Sequence, residues 1–293
     1  MNVLLVAPLL LVVAGVAAGW FLPRVTSPAS SVRVLTVATV VAAAGVAAAL
    51  ALVVLAGASE LHDVSSWLGW CDALYPGDHG AAPWAGALAA ALLVVAARRA
   101  RRYLSRSRAE MAAFAAVEGV EVIAAAGAVA FAVPGSPGGV ILGDELVRTL
   151  SRDERQAVIA HEHAHLDHGH HRYVHAVETC AAAFPFLVPL ARQVRFNTER
   201  WADETAASAV GSRTLVARAI ARVALLGAPS PAPGVLGFRS LSAAARVEAL
   251  LRPSTPVRLT LPAAASTMTI VTTLAGSSVQ LHHLVFFLDH ACR

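Results

Sequence analysis

Apolar residues cluster along the chain in two ways. Four runs are almost free of charge: Asn2–Leu22, Val34 to about Ala58, about Ala81 to Ala97, and Ala263 to about Leu288. Each approaches the roughly 20 residues that a helix needs to cross a bilayer. The first has no basic leader, and Arg24 follows it, so it reads as a retained anchor rather than a cleaved signal. Trp84 opens the third run at an interfacial position, and Ser278, Gln280, His282 and His283 interrupt the fourth. Between the third and fourth, residues 109–262 form one region of about 150 residues, the size of a single domain, with no internal repeat.

Within that region, Val120–Ile123, Ala128–Val133 and Val140–Leu142 read as short strands, with a Pro/Gly turn at 134–139. The strand at 128–133 is a candidate open edge for an extended peptide. A helix is expected to begin at Asp144, and another to run over Ala209–Leu226, ended by Gly227 and the Pro-rich stretch at 228–234. Ser151-Arg-Asp-Glu154 is a capping box, so a helix is expected to start there and run into a cluster of histidines. Residues 180–190, apolar but short and holding Pro185 and Pro189, read as a membrane-dipping hairpin.

Composition supports the membrane reading. The chain is 57% apolar and 14% charged with mean hydropathy +0.62, against about 25% charged in soluble domains. Disorder is excluded by the same figures. All of the 23 basic residues are arginine, and their placement is uneven. Arg24 and Arg33 flank the first connection, the 59–80 loop carries acids and no arginine, and Arg98–Arg108 follow the third run. The positive-inside rule then puts the N-terminus and the 59–80 loop outside and the arginine cluster in the cytoplasm. Beside a span, that cluster is expected to meet anionic lipid of the bilayer rather than nucleic acid. Cys71, Cys180 and Cys292 lie far apart, which supports neither a disulfide framework nor a thiolate site.

The chemistry lies in His161-Glu-His-Ala-His165. Histidines at i and i+4 share a helical face, about 40° apart, so both rings can reach one ion. Glu162, one residue on, can take a proton from a water on that ion, and neutral imidazoles suit Zn²⁺. His163 points about 200° away and is not expected to ligate. His168, His170 and His171 read as helix-end residues with at most a supporting role behind the ligands, and His175 as interfacial. A surface histidine tract that merely chelates is the alternative. For a third ligand, residues 196–204 offer Glu199 and Asp203 at i and i+4. Glu199 could bind zinc while Asp203 accepts the outer N–H of a ligating histidine. An ordinary amphipathic helix with Arg195 and Arg200 as partners fits the spacing equally well.

His161-Glu-x-x-His165 followed by Glu199-x-x-Ala-Asp203 resembles the membrane gluzincin peptidases of the HtpX and CAAX-prenyl-protease group. Phe184-Pro-Phe-Leu-Val-Pro-Leu-Ala-Arg192 before Glu199, and Arg246-Val-Glu-Ala-Leu-Leu251 after it, are similar to the antirepressor peptidases of beta-lactam sensor–transducers, the BlaR/MecR type. Those end in a penicillin-binding domain; the sequence here ends at Arg293, so beta-lactam sensing is not expected. The resemblance implies zinc held by His161, His165 and Glu199, with Glu162 as general base, Asp203 supporting a ligand, and Arg246 or His170 as candidates to steady an oxyanion. The fold class expected is mostly α: a polytopic membrane protein of about four transmembrane helices with a cytoplasmic zincin-like α+β metalloprotease domain. Residues 1–108 would hold three spans and 263–293 the fourth. The implied activity is zinc-dependent hydrolysis of a protein or peptide substrate, such as a cytoplasmic repressor. A catalytically silent metal-binding scaffold remains the alternative.

Overall fold

The computed structural model describes residues 26–58, 83–112, 117–125, 129–135, 138–226 and 243–252, mostly helical with one small sheet. Two of the four apolar runs fall within these residues, and each is one long helix: α1 (Pro28–Ala58) and α2 (Pro83–Ala112). Among the described residues these two are long and apolar enough to cross a membrane. With 31 residues α1 is about 46 Å long, well beyond the ~30 Å of bilayer hydrocarbon. The end of α1 meets the start of α2, and no side chain fits between them: a Cβ on Gly86 would lie 3.0 Å from the Gly57 Cα. The arginines Arg98–Arg108 are not a separate loop but the C-terminal half of α2. The runs 2–22 and 263–288 and the 59–80 loop, expected to complete a four-span arrangement, lie outside the described residues.

The sheet has order β1-β3-β2, from β1 (Glu118–Ile123), β2 (Ala130–Val133) and β3 (Gly138–Gly143). The central β3 runs parallel to β1 and antiparallel to β2, with Val140 opposite both Val120 and Ala132. Among the described residues β2 is therefore an edge strand, as its sequence leads one to expect. Seven further elements follow: α3 (Asp144–Thr149), α4 (Arg152–Asp167), α5 (His170–Ala183), a 3-10 turn at Pro185–Leu187, α6 (Val188–Val210), α7 (Arg213–Leu225) and α8 (Ala243–Leu251).

Local chemistry explains the boundaries. Ser151 Oγ accepts the Glu154 N–H at 3.3 Å, and the Glu154 carboxylate accepts the Ser151 N–H at 2.9 Å, so the capping box opens α4. The single helix expected over 209–226 is in fact two. Gly211 sits at φ 71, a left-handed conformation that ends α6, and Ser212 then caps α7 through the Leu215 N–H. Residues 180–190 turn a corner between α5 and α6, burying Leu187 and Leu190 while Phe186 stays exposed.

Two apolar cores result. One joins Val140 and Leu142 of β3, Leu146 of α3, Ala157 and Val158 of α4, Ala206 of α6 and Ile220 of α7. The other joins Val32, Leu35 and Ala38 of α1 to Val177 of α5 and to Leu187, Leu190 and Val194. The first fixes α4 against the sheet; the second docks the candidate membrane helix on α5 and α6.

Ser151→Ala removes the cap of α4 and should lower stability by about 1 kcal/mol, read as thermal unfolding in detergent. Burial opposes ionisation of Glu154, but the Ser151 donors and Arg222 hold its carboxyl below the usual range. A depressed folded pKa gives stability that is full above the unfolded value of about 4.3 and lost as pH falls. Glu154→Gln should therefore be less stable than the parent near pH 7 and converge with it in acid.

Candidate metal centre

The packing of α4 against α6 brings together side chains from 38 residues apart in sequence (161 to 199). His161, His165 and Glu199 are buried, and their ligand atoms face one another. The two Nε2 atoms are 3.1 Å apart; Glu199 Oε2 is 3.5 Å from His161 Nε2 and Oε1 is 3.7 Å from His165 Nε2. A tetrahedral zinc ion with bonds of about 2.0–2.1 Å separates its ligand atoms by roughly 3.3 Å. Among the described residues, this is the cluster of three or more ligand-bearing side chains able to hold a metal ion.

The atoms behind the ligands are equally specific. Asp203 Oδ1 lies 2.9 Å from His161 Nδ1, so it accepts that N–H and leaves the Nε2 lone pair facing inward. His170 Nδ1 lies 3.0 Å from His165 Nδ1. The Arg246 guanidinium, wholly buried on α8, donates to both Asp203 oxygens at 2.8 and 2.6 Å and reaches Glu199 Oε2 at 2.9 Å. One arginine therefore fixes both carboxylates of α6. Two imidazole nitrogens 3.1 Å apart need something shared between them: a hydrogen carried by one ring, or a cation bound by both.

Charge leads to the same fit. Three buried carboxylates, Glu162, Glu199 and Asp203, share the fully buried Arg246, leaving two negative charges to be balanced. A dication at the ligand cluster balances them. Without it, protons must. Burial opposes ionisation of Glu199 and Asp203, yet Arg246 holds both below the usual carboxylate range. Burial, with Glu199 adding to it, pushes Glu162 up to about 8 against the opposing effect of His161 and the approaching Ala132 backbone N–H of β2. Burial disfavours a charged His161, but Asp203 and Glu199 prevail and raise it to about 9. Burial holds His165 well below its ordinary value, and burial with the neighbouring histidines takes His170 down to about 3.

The remaining sequence candidates are placed elsewhere. His163 is only half-buried and outside the cluster. His168 lies against Thr205 at 3.3 Å and stacks on Trp201, and His175 meets Ser107 and Tyr103 of α2. Arg195 pairs with Glu178 rather than with the acids of 196–204. Both candidates for steadying an oxyanion are engaged with protein groups: Arg246 with the two acids, and His170 with His165. The clamp made by Arg246 was missed in the sequence. The signal available was general: two acids at i and i+4 on a buried face need a cation, but the motif that singled out Arg246 among 23 arginines suggested an oxyanion role and not this pairing.

Arg246→Leu leaves Glu199 and Asp203 buried without their partner and should destabilise the metal-free protein by about 3–5 kcal/mol. Added zinc should recover part of the loss, because a dication replaces the missing charge. Unfolding curves in chelator and in zinc check both points.

A family profile described as peptidase family M48 matches residues 98–260. No curated protein and no solved structure matched the chain. The matched residues run from the arginines of α2 through α8 and include every member of the buried cluster. Extending over more than half of the sequence, that match establishes that the chain belongs to peptidase family M48, a family of metallopeptidases.

Proposed function

We propose that the chain is an integral-membrane zinc endopeptidase in which His161, His165 and Glu199 hold the metal and Glu162 is the general base. The observation that carries this reading is the buried convergence of the two Nε2 atoms and the Glu199 carboxylate, with Asp203 behind one ring. Two imidazoles and one carboxylate, with Glu162 inside the histidine pair, are the zinc-binding set of H-E-x-x-H metallopeptidases. Held there, zinc supplies Lewis acidity and a water that ionises near neutral pH. The protein's own residues do the rest. Glu162 accepts the proton of the attacking water and passes it to the leaving amine, one carboxylate acting as base and then acid. Asp203 keeps His161 in the ligating tautomer, and Arg246 keeps Asp203 and Glu199 ionised. An extended peptide adds to the β2 edge, whose Ala132 N–H already approaches Glu162.

In this reading α1 and α2 are two spans of a multi-pass protein of the cell membrane, with the catalytic domain cytoplasmic. Arg33 and the arginines of α2 lie at the ends that contact the peptidase domain, so the positive-inside rule and the docking agree. The arginine-rich half of α2 then meets anionic headgroups rather than nucleic acid. Phe186, exposed at the α5–α6 corner beside α1, enters the interface. The substrate is a membrane-associated or cytoplasmic protein. The likeness of residues 184–192 and 246–251 to the BlaR/MecR-type antirepressor peptidases makes a transcriptional repressor the favoured example.

Two experiments test this. Purified protein should bind about one zinc per chain. His161→Ala, His165→Ala and Glu199→Ala should lose it, and His163→Ala should keep it. With His161 raised to about 9 in the metal-free state, binding at neutral pH displaces a proton, so zinc affinity should rise with pH toward that value. Glu162→Gln should keep its zinc and lose cleavage of an unfolded membrane or repressor substrate by at least about 10²-fold. Zinc-loaded Glu162→Gln that cleaves normally would remove the base. A parent protein that binds zinc but cleaves nothing would favour a metal-binding scaffold. For topology, introduced cysteines near Trp70 should label from outside intact cells and those near Arg106 should not; the reverse pattern would move the active site outside.

A further inference from the structure

A histidine that binds metal through Nε2 must carry its hydrogen on Nδ1, and something must accept that hydrogen. For His161 the acceptor is Asp203. For His165 the atom at that position is a second histidine nitrogen, Nδ1 of His170 at 3.0 Å. We propose that His170 is a positioning residue for His165: its Nδ1 accepts the His165 Nδ1–H and fixes that ring in the ligating tautomer, and Trp201 holds the acceptor in place. This inference rests on the reading of His161, His165 and Glu199 as a zinc site.

The backbone is built for the contact. Residues five apart do not face each other on one helix. Gly169, at φ +59, ends the run of α4 and turns the chain so that the first residue of α5 folds back on His165. A side chain there would be strained by that conformation. Tautomer assignment then follows around the ring. With its Nδ1 used as acceptor, His170 carries its hydrogen on Nε2, which is buried without a hydrogen-bond partner among the described residues. An orphaned donor is costly, so its presence marks Nδ1 as the nitrogen that the fold uses.

Aromatic contacts hold the ring still. The Trp201 indole lies 4.7 Å from His170 and stacks on His168 at 4.7 Å, while His168 reaches Thr205. Trp201 stands on α6 between Glu199 and Asp203, so three residues of one helix serve the site: a ligand, the acceptor for one ring, and the wall behind the other. Arg33 of α1 lies 5.2 Å over the same indole, which carries the stack out to the candidate membrane helix.

The test measures zinc affinity of the full-length protein in detergent by chelator competition. His170→Phe keeps a ring of similar size and removes the acceptor; His170→Asn restores an acceptor oxygen near the position of Nδ1. His170→Phe should weaken zinc about 10–100-fold, with an unfolding midpoint close to the parent's in chelator, and His170→Asn should recover most of the loss. The visible spectrum of the cobalt-loaded protein should change for His170→Phe and return toward the parent for His170→Asn. Parent-like affinity in His170→Phe, or equal weakening in both variants, would overturn the inference. If the parent itself bound no zinc, the reading of the site would fall first and this inference with it. If the parent binds, His161→Ala does not, and His170→Phe binds normally, only this inference falls.

Discussion

Burying three carboxylates with one guanidinium is the constraint on which the rest of the structure depends. Glu162, Glu199 and Asp203 are almost fully removed from solvent, and so is Arg246. Charges buried without partners are expelled or neutralised. Asp203 and Glu199 persist because α6 and α8 bring them to 2.6–2.9 Å from Arg246, with two fixed bonds between Arg246 and Asp203. The two negative charges left over are what a divalent cation among His161, His165 and Glu199 would balance. Burial, with Glu199 adding to it, raises Glu162, and Asp203 and Glu199 raise His161 against the burial that opposes its charge.

The helix that carries the acids also joins the two halves of the molecule. Along α6, Leu190, Ala191 and Val194 are buried against α1; Glu199 and Asp203 enter the polar cluster; Ala206 and Ala207 are buried against α4 and α7. Apolar, polar and again apolar stretches thus follow one another on a single rigid rod. Arg33 over Trp201 adds a lateral contact at the level of Glu199 and Asp203.

Much of this was legible in the sequence, for identifiable reasons. The His161/His165 pair, Glu162 and the Glu199/Asp203 pair are local patterns, set by helical spacing, and the structure brings the three expected ligands and Asp203 together. The capping box is local too, and so are the three strands. What escaped is non-local or conformational. Arg246 arrives from 43 residues beyond Asp203, and no period encodes that meeting. His170 is reached through the left-handed Gly169, which a helical wheel cannot represent. Gly211 was hidden inside an apparently continuous apolar pattern, because Ala207 and Val216 keep the same face buried on both sides of the break. For α1, hydropathy indicated a span but not that its first half is covered by α5 and α6.

Burial of the site also decides how Glu162 can act in the proposed reaction. A general base must be ionised at the working pH, yet in the metal-free protein burial and Glu199 raise this carboxyl to about 8. Its environment therefore favours an acid until the pocket holds more positive charge. A dication among His161, His165 and Glu199 lies beside Glu162 on the first turn of the His pair, where little water screens the interaction. Glu162 then releases its proton and becomes the acceptor that the chemistry needs. The same low dielectric that makes three carboxylates costly to bury makes the ionisation of Glu162 depend on the bound cation. In the proposed reaction, metal loading would therefore supply the Lewis acid and favour the ionised base together.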